Sequence, residues 1–233
     1  MAHTVTTLAF DADDTLWHNE RHFRMSEERF ADLLKEYADP DHLAERLLAA
    51  EKKNVGHYGF GVKGFVLSMI ETAIEVTEER VPASVIKELI DCGQELLTYP
   101  IELMPGAGDV VEQMAGAYKL IVITKGDLLD QERKLAQSGL GEMFDGVEIV
   151  SDKTAAIYSQ LFVKWSNGSD GAMMIGNSMK SDVIPAIEAG AWGVYVPSEI
   201  TWALEHAEAP KESAKYREIP SLHGLPGLLE SLT

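Results

Sequence analysis

The sequence contains a single cysteine among its 233 residues, so it cannot form an internal disulfide bond. Disulfides persist in oxidising compartments, and a chain without them is typical of the cytoplasm, which is the location that we predict. Cys92 lies in a helical pattern, "KELIDCGQELL", which contains no histidine to activate its thiol. We therefore interpret Cys92 as a packing residue rather than a nucleophile.

Long apolar stretches are also absent from the sequence. The longest fall well short of the roughly 18 residues that a membrane helix needs. The first residues, "MAHTVTTLAF", run directly into aspartates and lack the basic head and apolar segment of a secretory signal. We therefore expect no membrane partner.

Positive charge is scarce. The sequence has 20 Lys and Arg residues against 38 Asp and Glu residues, which gives a net charge of -18. Nucleic-acid binding depends on clustered Lys and Arg, so this balance argues against a nucleic-acid polymer as a partner. A small anionic substrate is compatible with the charge, but it needs a local positive site that overcomes the surrounding field.

Two different patterns divide the chain. Residues 20–98 show only helical periodicity, interrupted by a glycine-rich stretch that predicts a loop or hinge, "KKNVGHYGFGVKG". Beyond them, short apolar strands alternate with helices, and residues 5–10 supply one further strand. Such alternation with short connections indicates a parallel sheet covered by helices. The predicted fold is an α/β core of residues 1–17 and 100–233, with an all-helical insertion at residues 18–99.

Three carboxylates crowd into the four residues after the first predicted strand: Asp11, Asp13 and Asp14. Carboxylates this close repel one another and resist burial unless positive charge lies among them. A run of aspartates is commonly a solvated loop or a helix cap, and we assign Asp14 to that class. An EF-hand calcium loop does not fit, because Leu16 and His22 stand where it needs a glycine and a bidentate glutamate. Asp11 and Asp13 are the candidates for chemistry.

The later strands also end in residues that can take part in chemistry. "YKLIVIT" ends in Thr124, Lys153 comes shortly after "GVEIV", and "AMMIG" is followed by Asn177 and Asp182. In a parallel sheet the strand ends share one crevice, where ligands bind. We therefore expect acids, a hydroxyl, a lysine and an amide from distant positions to meet at one edge of the sheet.

These residues, in this order, resemble the four motifs of the haloacid-dehalogenase (HAD) superfamily. "DADDT" matches the D-x-D-x-T of the first motif, Thr124 matches the second, Lys153 matches the lysine of the third, and "GNSMKSD" matches the acidic fourth. The resemblance extends over nearly the whole chain. It implies a Rossmann-like parallel-sheet core and, because the insertion follows the first motif, a helical cap of the C1 type.

The resemblance also implies a phosphatase reaction and a role for each residue. Asp11 is the implied nucleophile that forms an aspartyl-phosphate, and Asp13 the acid that protonates the leaving oxygen and then activates water. Thr124 and Lys153 are implied to hold the phosphoryl oxygens, because positioning and charge neutralisation carry most of this chemistry. The expected partner is a small phosphorylated metabolite, since a cleft closed by a cap excludes bulky groups.

The same resemblance implies a Mg²⁺ cofactor. It would be bound by Asp11, the backbone carbonyl of Asp13 and the fourth-motif side chains of Asn177 and Asp182. The fourth motif usually begins Gly-Asp, whereas this chain has Gly176 followed by Asn177. An amide oxygen can coordinate Mg²⁺ but brings no charge, so either Asn177 or Asp182 is the direct ligand and weaker metal affinity is expected.

Two further lysines are candidates for contact with the substrate phosphate. Lys125 directly follows Thr124, and it is either a second phosphate contact or an exposed lysine at a strand end. Lys63 lies in the glycine-rich stretch of the predicted cap, and it is the cap residue that we select as a substrate contact.

Several rival functions stay open. A 2-haloacid dehalogenase attacks carbon and releases halide unprotonated, so it needs neither the metal nor a second acid, and Asp13 weighs against it. A phosphomutase requires a phospho-enzyme that outlives attack by water. A receiver-type signalling domain also joins Asp, Thr and Lys on a parallel sheet, but it lacks a helical insertion. A non-catalytic phosphate- or metal-binding relative is suggested by Asn177. The favoured prediction is a Mg²⁺-dependent phosphatase.

Overall fold

The computed structural model describes residues 5–232 of the protein. These residues form two compact units. The first comprises the described residues up to Glu20, Ile101–Lys125, and the described residues from Gln131 onward. The second comprises Arg21–Pro100 and Gly126–Asp130. Each unit buries its own set of apolar side chains.

The first unit is built on a parallel sheet, to which the described residues contribute six strands. Their bounds are β1 (Thr7–Phe10), β2 (Lys119–Lys125), β3 (Gly146–Val150), β4 (Ala172–Gly176), β5 (Trp192–Tyr195) and β6 (Tyr216–Glu218). The strands lie in the order β3-β2-β1-β4-β5-β6, and each neighbouring pair is parallel. This arrangement confirms the predicted α/β class.

The helices of both units follow the chain in order. Within the described residues they are α1 (Glu20–Leu34), α2 (Pro40–Tyr58), α3 (Val62–Val76), α4 (Ala83–Leu96), α5 (Ala107–Met114), α6 (Leu128–Ser138), α7 (Ala155–Trp165), α8 (Ile184–Glu188) and α9 (Leu225–Leu232). Between residues 5 and 232, none of these helices combines the length and apolar character that crossing a membrane requires.

Helices cover both faces of the sheet, and successive side chains of each strand point to opposite faces. Phe10 of β1 packs into one core with Val110 of α5. Its neighbour Ala9 belongs to the core on the other face, together with Phe162 of α7. All four side chains are 98% buried or more, and burying a phenylalanine contributes about 1.5–3 kcal/mol. Apolar runs such as "LIVIT" therefore form strands that are buried on both sides.

Helices α1 to α4 make up most of the second unit. Their buried side chains form a separate apolar core, which includes Phe30, Leu34, Leu43, Leu47, Phe65, Met69, Leu89 and Cys92. Cys92 is buried in this core, and burial raises the pKa of its thiol. A buried thiol of this kind is inert, which confirms Cys92 as a packing residue.

The loop predicted at "KKNVGHYGFGVKG" is confirmed only for residues 59–61, because α2 continues through Gly56 to Tyr58 and α3 begins at Val62. A glycine inside a helix costs about 1 kcal/mol relative to alanine. The buried face of α2, which includes Leu47, offsets this cost. The helix ends where the backbone becomes left-handed, at Gly59 with φ 75° and then Gly61 with φ 120°.

The order of the strands reverses beside β1. The chain places β2 and β3 on one side of β1, and then β4, β5 and β6 on the other side. In open parallel sheets, the crevice at such a switch point is where ligands bind. The carboxyl end of β1, which Asp11 follows directly, lies at this point of the sheet.

Candidate active site

The strand-end residues predicted from the sequence lie on neighbouring strands. The backbone N–H of Asp11 donates to the carbonyl of Ile175 in β4 at 2.9 Å, which fixes the end of β1 against β4. Thr124 is two residues beyond Val122, the β2 partner of Phe10, so it lies at the same edge of the sheet. The Thr124 side chain is buried, and its Oγ1 donates to the carbonyl of Lys125 at 3.3 Å.

A buried lysine joins two of the predicted acids. Lys153 Nζ donates to Asp11 Oδ1, and it lies 2.6 Å from Asp182 Oδ1. All three residues are buried: Lys153 is 4% exposed, Asp11 8% and Asp182 0%. Two carboxylates thus share one ammonium group where water cannot screen them. The structure brings these three predicted site residues together.

Asp182 reaches the site from a π-helical turn, Met179–Val183, that follows β4. π-Helical turns are rare and occur frequently at functional sites. The backbone N–H of Ser178 donates to Asp182 Oδ2 at 2.9 Å. A Cβ atom on Gly176 would lie 2.2 Å from the same oxygen, so only glycine lets the strand end and the carboxylate come this close.

The shared ammonium changes how these groups titrate. Burial, followed by repulsion from Asp182, raises the pKa of Asp11 from 3.8 to about 7, although the nearby Lys153 opposes the shift. For Lys153, burial disfavours the ammonium, but attraction to Asp11 and Asp182 outweighs it and raises the pKa of the lysine. The pair of carboxylates therefore carries more negative charge than one lysine compensates.

The Asn177 side chain faces three oxygen atoms. One end of its amide lies 3.2 Å from Asp11 Oδ2, the backbone carbonyl of Asp13 and Thr15 Oγ1. Without a cation, this end must be the amide nitrogen, because an amide oxygen would donate no hydrogen to the Asp11 carboxylate or the Asp13 carbonyl. If the amide is turned by 180°, its oxygen lies beside Asp11 Oδ2 and the Asp13 carbonyl. Together these three oxygens provide the kind of ligands that a hard cation needs.

Three side chains hold the carboxylate of Asp13. Trp17 Nε1 and Lys134 Nζ donate to its Oδ1 at 2.8 and 3.0 Å, and Gln131 Nε2 donates to its Oδ2 at 2.7 Å. Trp17, Lys134 and Gln131 are each at least 93% buried. Trp17 follows the first motif, whereas Gln131 and Lys134 lie on α6. Asp13 is predicted by its sequence motif, whereas neither residue of α6 belongs to a motif that predicts its role.

Lys125 makes buried contacts of its own. Its Nζ donates to Ser181 Oγ and to Glu205 Oε1, both at 2.7 Å, and its side chain is 12% exposed. Burial favours the neutral acid, but Lys125 and the hydroxyls of Ser178 and Ser181 lower the pKa of Glu205. The alternative of an exposed lysine at a strand end is wrong. Its role as a phosphate contact stays a prediction, and Glu205 was not anticipated.

Lys63 belongs to the second unit. Its Nζ lies 3.0 Å from Asp127 Oδ1, in a pair whose lysine side chain is 67% exposed. The predicted contact of Lys63 with substrate stays a prediction.

Asp14 caps the start of α1 rather than joining the chemistry. Its carboxylate accepts from the backbone N–H groups of Asn19 and Glu20, each at 2.9 Å. Burial raises the pKa of Asp14 from 3.8 to about 6, although these backbone bonds oppose the shift. The assignment of Asp14 to a helix cap agrees with this geometry.

Within residues 5–232, no group of three or more His, Cys, Asp or Glu side chains is arranged to hold a metal ion. The oxygens gathered at this place are of a different kind: Asp11 contributes a carboxylate oxygen, Asp13 a backbone carbonyl and Asn177 its own amide oxygen. Carbonyl and amide oxygens are good ligands for Mg²⁺ and Ca²⁺. The residues present therefore fit a hard divalent cation that carries part of its own hydration.

The structure thus places a carboxylate, a lysine and a hydroxyl at the switch point of a parallel α/β sheet, where such folds bind their ligands. The chain matches the family model of the haloacid dehalogenase-like hydrolases over residues 5–190. The protein belongs to this family of hydrolases, which confirms the resemblance in its sequence motifs.

Solved structures agree with this assignment. The chain is similar to a haloacid dehalogenase-like family hydrolase from Xanthomonas campestris, with 36% identity and a TM-score of 0.88, over 98% of this chain and 92% of that one. It shares its fold with the HAD-hydrolase YfnB from Bacillus subtilis, described as bound to magnesium (18% identity, TM-score 0.66, 97% and 99% covered). The protein also shares its fold with a 2-haloacid dehalogenase from Pseudomonas syringae (18% identity, TM-score 0.61, 99% and 100% covered). A search of curated proteins found no match.

Proposed function

We propose that the protein is a Mg²⁺-dependent phosphatase that hydrolyses a small phosphorylated metabolite through an aspartyl-phosphate. The observation that carries the proposal is the second carboxylate, Asp13, which is held in place by Trp17, Gln131 and Lys134 beside the nucleophile position. Release of an alkoxide from phosphorus needs a proton, and Asp13 is the group that can supply it. A reaction that releases halide has no use for this acid.

The first half of the reaction assigns a step to each residue. A carboxylate oxygen of Asp11 forms a bond to phosphorus while the bond from phosphorus to the leaving oxygen breaks, and Asp13 gives its proton to that oxygen. Lys153 and Thr124 hold the phosphoryl oxygens. Lys153 already donates to Asp11, so its charge lies where negative charge accumulates.

In the second half, water attacks the phosphorus of the aspartyl-phosphate. Asp13, now a carboxylate, takes a proton from that water, and the bond between phosphorus and the Asp11 oxygen breaks. Inorganic phosphate leaves, and both aspartates return to their starting state. One residue thus acts first as acid and then as base, which requires it to keep one orientation throughout.

Asp11, the carbonyl of Asp13 and Asn177 would hold the cation. One end of the Asn177 amide lies 3.2 Å from both Asp11 Oδ2 and the carbonyl of Asp13, so these three groups would present their oxygens to the same cation. When bound, Mg²⁺ supplies positive charge beside the phosphoryl group. The pKa of Asp11 is raised to about 7, whereas a nucleophile must be ionised at neutral pH. The positive charge of a bound cation would favour the ionised carboxylate.

Asn177 is the better candidate for direct ligation than Asp182. The two oxygens of Asp182 already accept hydrogen bonds from Lys153 Nζ and from the backbone N–H of Ser178. We infer that Asp182 orients the lysine, and that Asn177 turns its amide oxygen toward the cation. Since an amide contributes no charge, metal affinity should be lower than with an aspartate at this position.

A 2-haloacid dehalogenase is the second candidate, and the neutral side chain of Asn177 favours it. In that reaction Asp11 attacks carbon, halide leaves without a proton, and a weak metal site is no handicap. The structural neighbour from Pseudomonas syringae carries this name. The three donors on Asp13 have no function in such a reaction, so the phosphatase remains the preferred proposal.

The two candidates separate in one experiment. Purified protein is given p-nitrophenyl phosphate with Mg²⁺ or with a chelator, and 2-chloropropionate in parallel. We expect Mg²⁺-dependent release of p-nitrophenol, its loss in Asp11→Asn, and full activity in Asp41→Asn, which removes an exposed carboxylate of α2. Chloride release without metal, or no turnover of any phosphate ester, would reject the phosphatase.

A further inference from the structure

Two residues of α6 converge on the carboxylate of Asp13. Gln131 and Lys134 are three residues apart, which places them on the same face of the helix. We propose that Gln131 and Lys134 are positioning residues, which hold Asp13 in the orientation in which it exchanges a proton with the leaving oxygen. This inference rests on the proposed phosphatase function, and it extends the site to residues outside the four strand-end motifs.

The hydrogen bonds to Asp13 leave it one free position. A carboxylate has about four lone-pair directions, two on each oxygen. Trp17 and Lys134 occupy both directions of Oδ1, and Gln131 occupies one direction of Oδ2. Counting only partners among residues 5–232, a single direction on Oδ2 is left to carry a proton. The three donors therefore decide which oxygen of Asp13 takes part in proton transfer, and where that oxygen points.

Gln131 is oriented by its surroundings. Its Nε2 donates to Asp13 Oδ2 at 2.7 Å and to the carbonyl of Lys125 at 2.9 Å, so both of its hydrogens are used. Its Oε1 is buried and has no hydrogen-bond partner among the described residues. A buried acceptor without a partner is unfavourable, so this glutamine is poorly explained by stability alone. A role in orienting Asp13 accounts for both observations.

Lys134 provides a positive charge beside the carboxylate of Asp13. Its side chain is 8% exposed, and its Nζ lies 3.0 Å from Asp13 Oδ1 and 2.8 Å from Asn19 Oδ1. Asp11 contacts a different lysine, Lys153, which it shares with Asp182. Asp13 therefore does not compete with Asp11 for the same ammonium.

The choice of leaving group separates positioning of Asp13 from a general loss of structure. p-Nitrophenolate leaves phosphorus without needing a proton, whereas the alkoxide of 2-glycerophosphate needs one. General acid catalysis contributes about 10²–10⁴-fold where the proton is required. A residue that acts through Asp13 must therefore matter much more for the alkyl ester than for the aryl ester.

The experiment measures kcat and KM of Lys134→Met, Lys134→Arg and Gln131→Leu on both esters with Mg²⁺. We expect Lys134→Met to lower kcat/KM, which reports the steps up to departure of the leaving group, about 100-fold on 2-glycerophosphate and less than about tenfold on p-nitrophenyl phosphate. Lys134→Arg should recover at least about tenfold of the loss, since arginine keeps the charge and the donors. Lys215→Met, which breaks an ion pair with Asp170, is the matched control and should behave like wild type.

Two outcomes would overturn the inference alone. One is an equal loss of kcat/KM on both esters in variants that retain the wild-type circular dichroism spectrum. The other is a further loss on 2-glycerophosphate when Lys134→Met is added to Asp13→Asn, because a residue acting through Asp13 has nothing left to position. If Lys134→Met does not fold, Gln131→Leu decides on the same criteria. A wild-type protein that turns over neither ester rejects the proposed function, and the inference falls with it.

Discussion

Lys153 Nζ lies 2.6 Å from Asp182 Oδ1, and both side chains are buried. The lysine follows β3 and the aspartate lies in the turn after β4, two strands that are separated in the sheet by β1 and β2. Because Lys153 also donates to Asp11 after β1, one ammonium group joins the ends of three strands. A contact of this kind makes the stability of the fold depend on the groups of the candidate active site.

Lys153→Met tests this dependence. The change leaves Asp11 and Asp182 facing each other in the interior without a counter-charge, and breaking a buried pair from one side typically costs about 3–5 kcal/mol. We expect a loss of unfolding free energy of that size in urea at neutral pH. Lys164→Met removes an exposed partner of Glu148 and should cost less than about 1 kcal/mol. Equal, small losses in both variants would contradict the interpretation of Lys153.

Gly176→Ala tests the close approach of Asp182 to β4. The new Cβ would lie 2.2 Å from Asp182 Oδ2, and this carboxylate cannot easily move because Lys153 and the backbone of Ser178 hold it. We expect a loss of about 1–3 kcal/mol in thermal unfolding.

Gly227→Ala is the matched control for that variant. Gly227 lies in α9, and a Cβ there meets no atom within 4 Å. Alanine in a helix is favoured over glycine by about 0.5–1 kcal/mol, so this variant should be as stable as wild type or more so. A Gly176→Ala protein that matches Gly227→Ala would show that the contact with Asp182 relaxes freely.

The residues at the strand ends were predictable because topology decides where they meet. Asp11, Lys153 and Asp182 follow apolar runs that form strands, Thr124 lies near the end of another, and parallel strands bring their carboxyl ends to one edge. The hydrophobic pattern therefore predicted contacts between residues that are more than a hundred positions apart in the sequence, such as Asp11 and Lys153. The structure confirmed the sheet and brought Lys153 to Asp11 and Asp182.

The residues that surround Asp13 and Lys125 were not predictable in this way. Gln131 and Lys134 lie in "DQERKLAQSG", whose polar residues are typical of a solvated helix face, and only tertiary packing buries these two and Asp130. Glu205 lies in a short turn without any periodic pattern. β6 was missed because Tyr216–Glu218 is three residues long and has no apolar run.

Asp14→Asn tests the pH dependence of the cap at α1. The pKa of Asp14 is raised to about 6 in the folded protein, so between about pH 4 and pH 6 the folded state holds a proton that the unfolded state releases. The contribution of Asp14 to the free energy of unfolding is therefore lost as the pH rises through that window. An asparagine does not titrate, so its contribution does not change with pH. We expect the variant to gain on wild type between pH 4 and pH 7.5, by at most ~3 kcal/mol in urea unfolding. A constant difference between the two proteins would contradict this.

Asn177→Asp tests which fourth-motif side chain meets the cation. An aspartate adds a negative charge 3.2 Å from Asp11 Oδ2 and the carbonyl of Asp13, so the cation-free protein should be less stable, and Mg²⁺ should bind about tenfold more tightly or better. Two measurements check this: the Mg²⁺ concentration for half-maximal p-nitrophenyl phosphate hydrolysis, and the rise in melting temperature on adding Mg²⁺. Asn167→Asp adds the same charge at an exposed loop position and should change neither. If Asn177→Asp also leaves both unchanged, Asn177 is not a ligand, and the cation must be held without it.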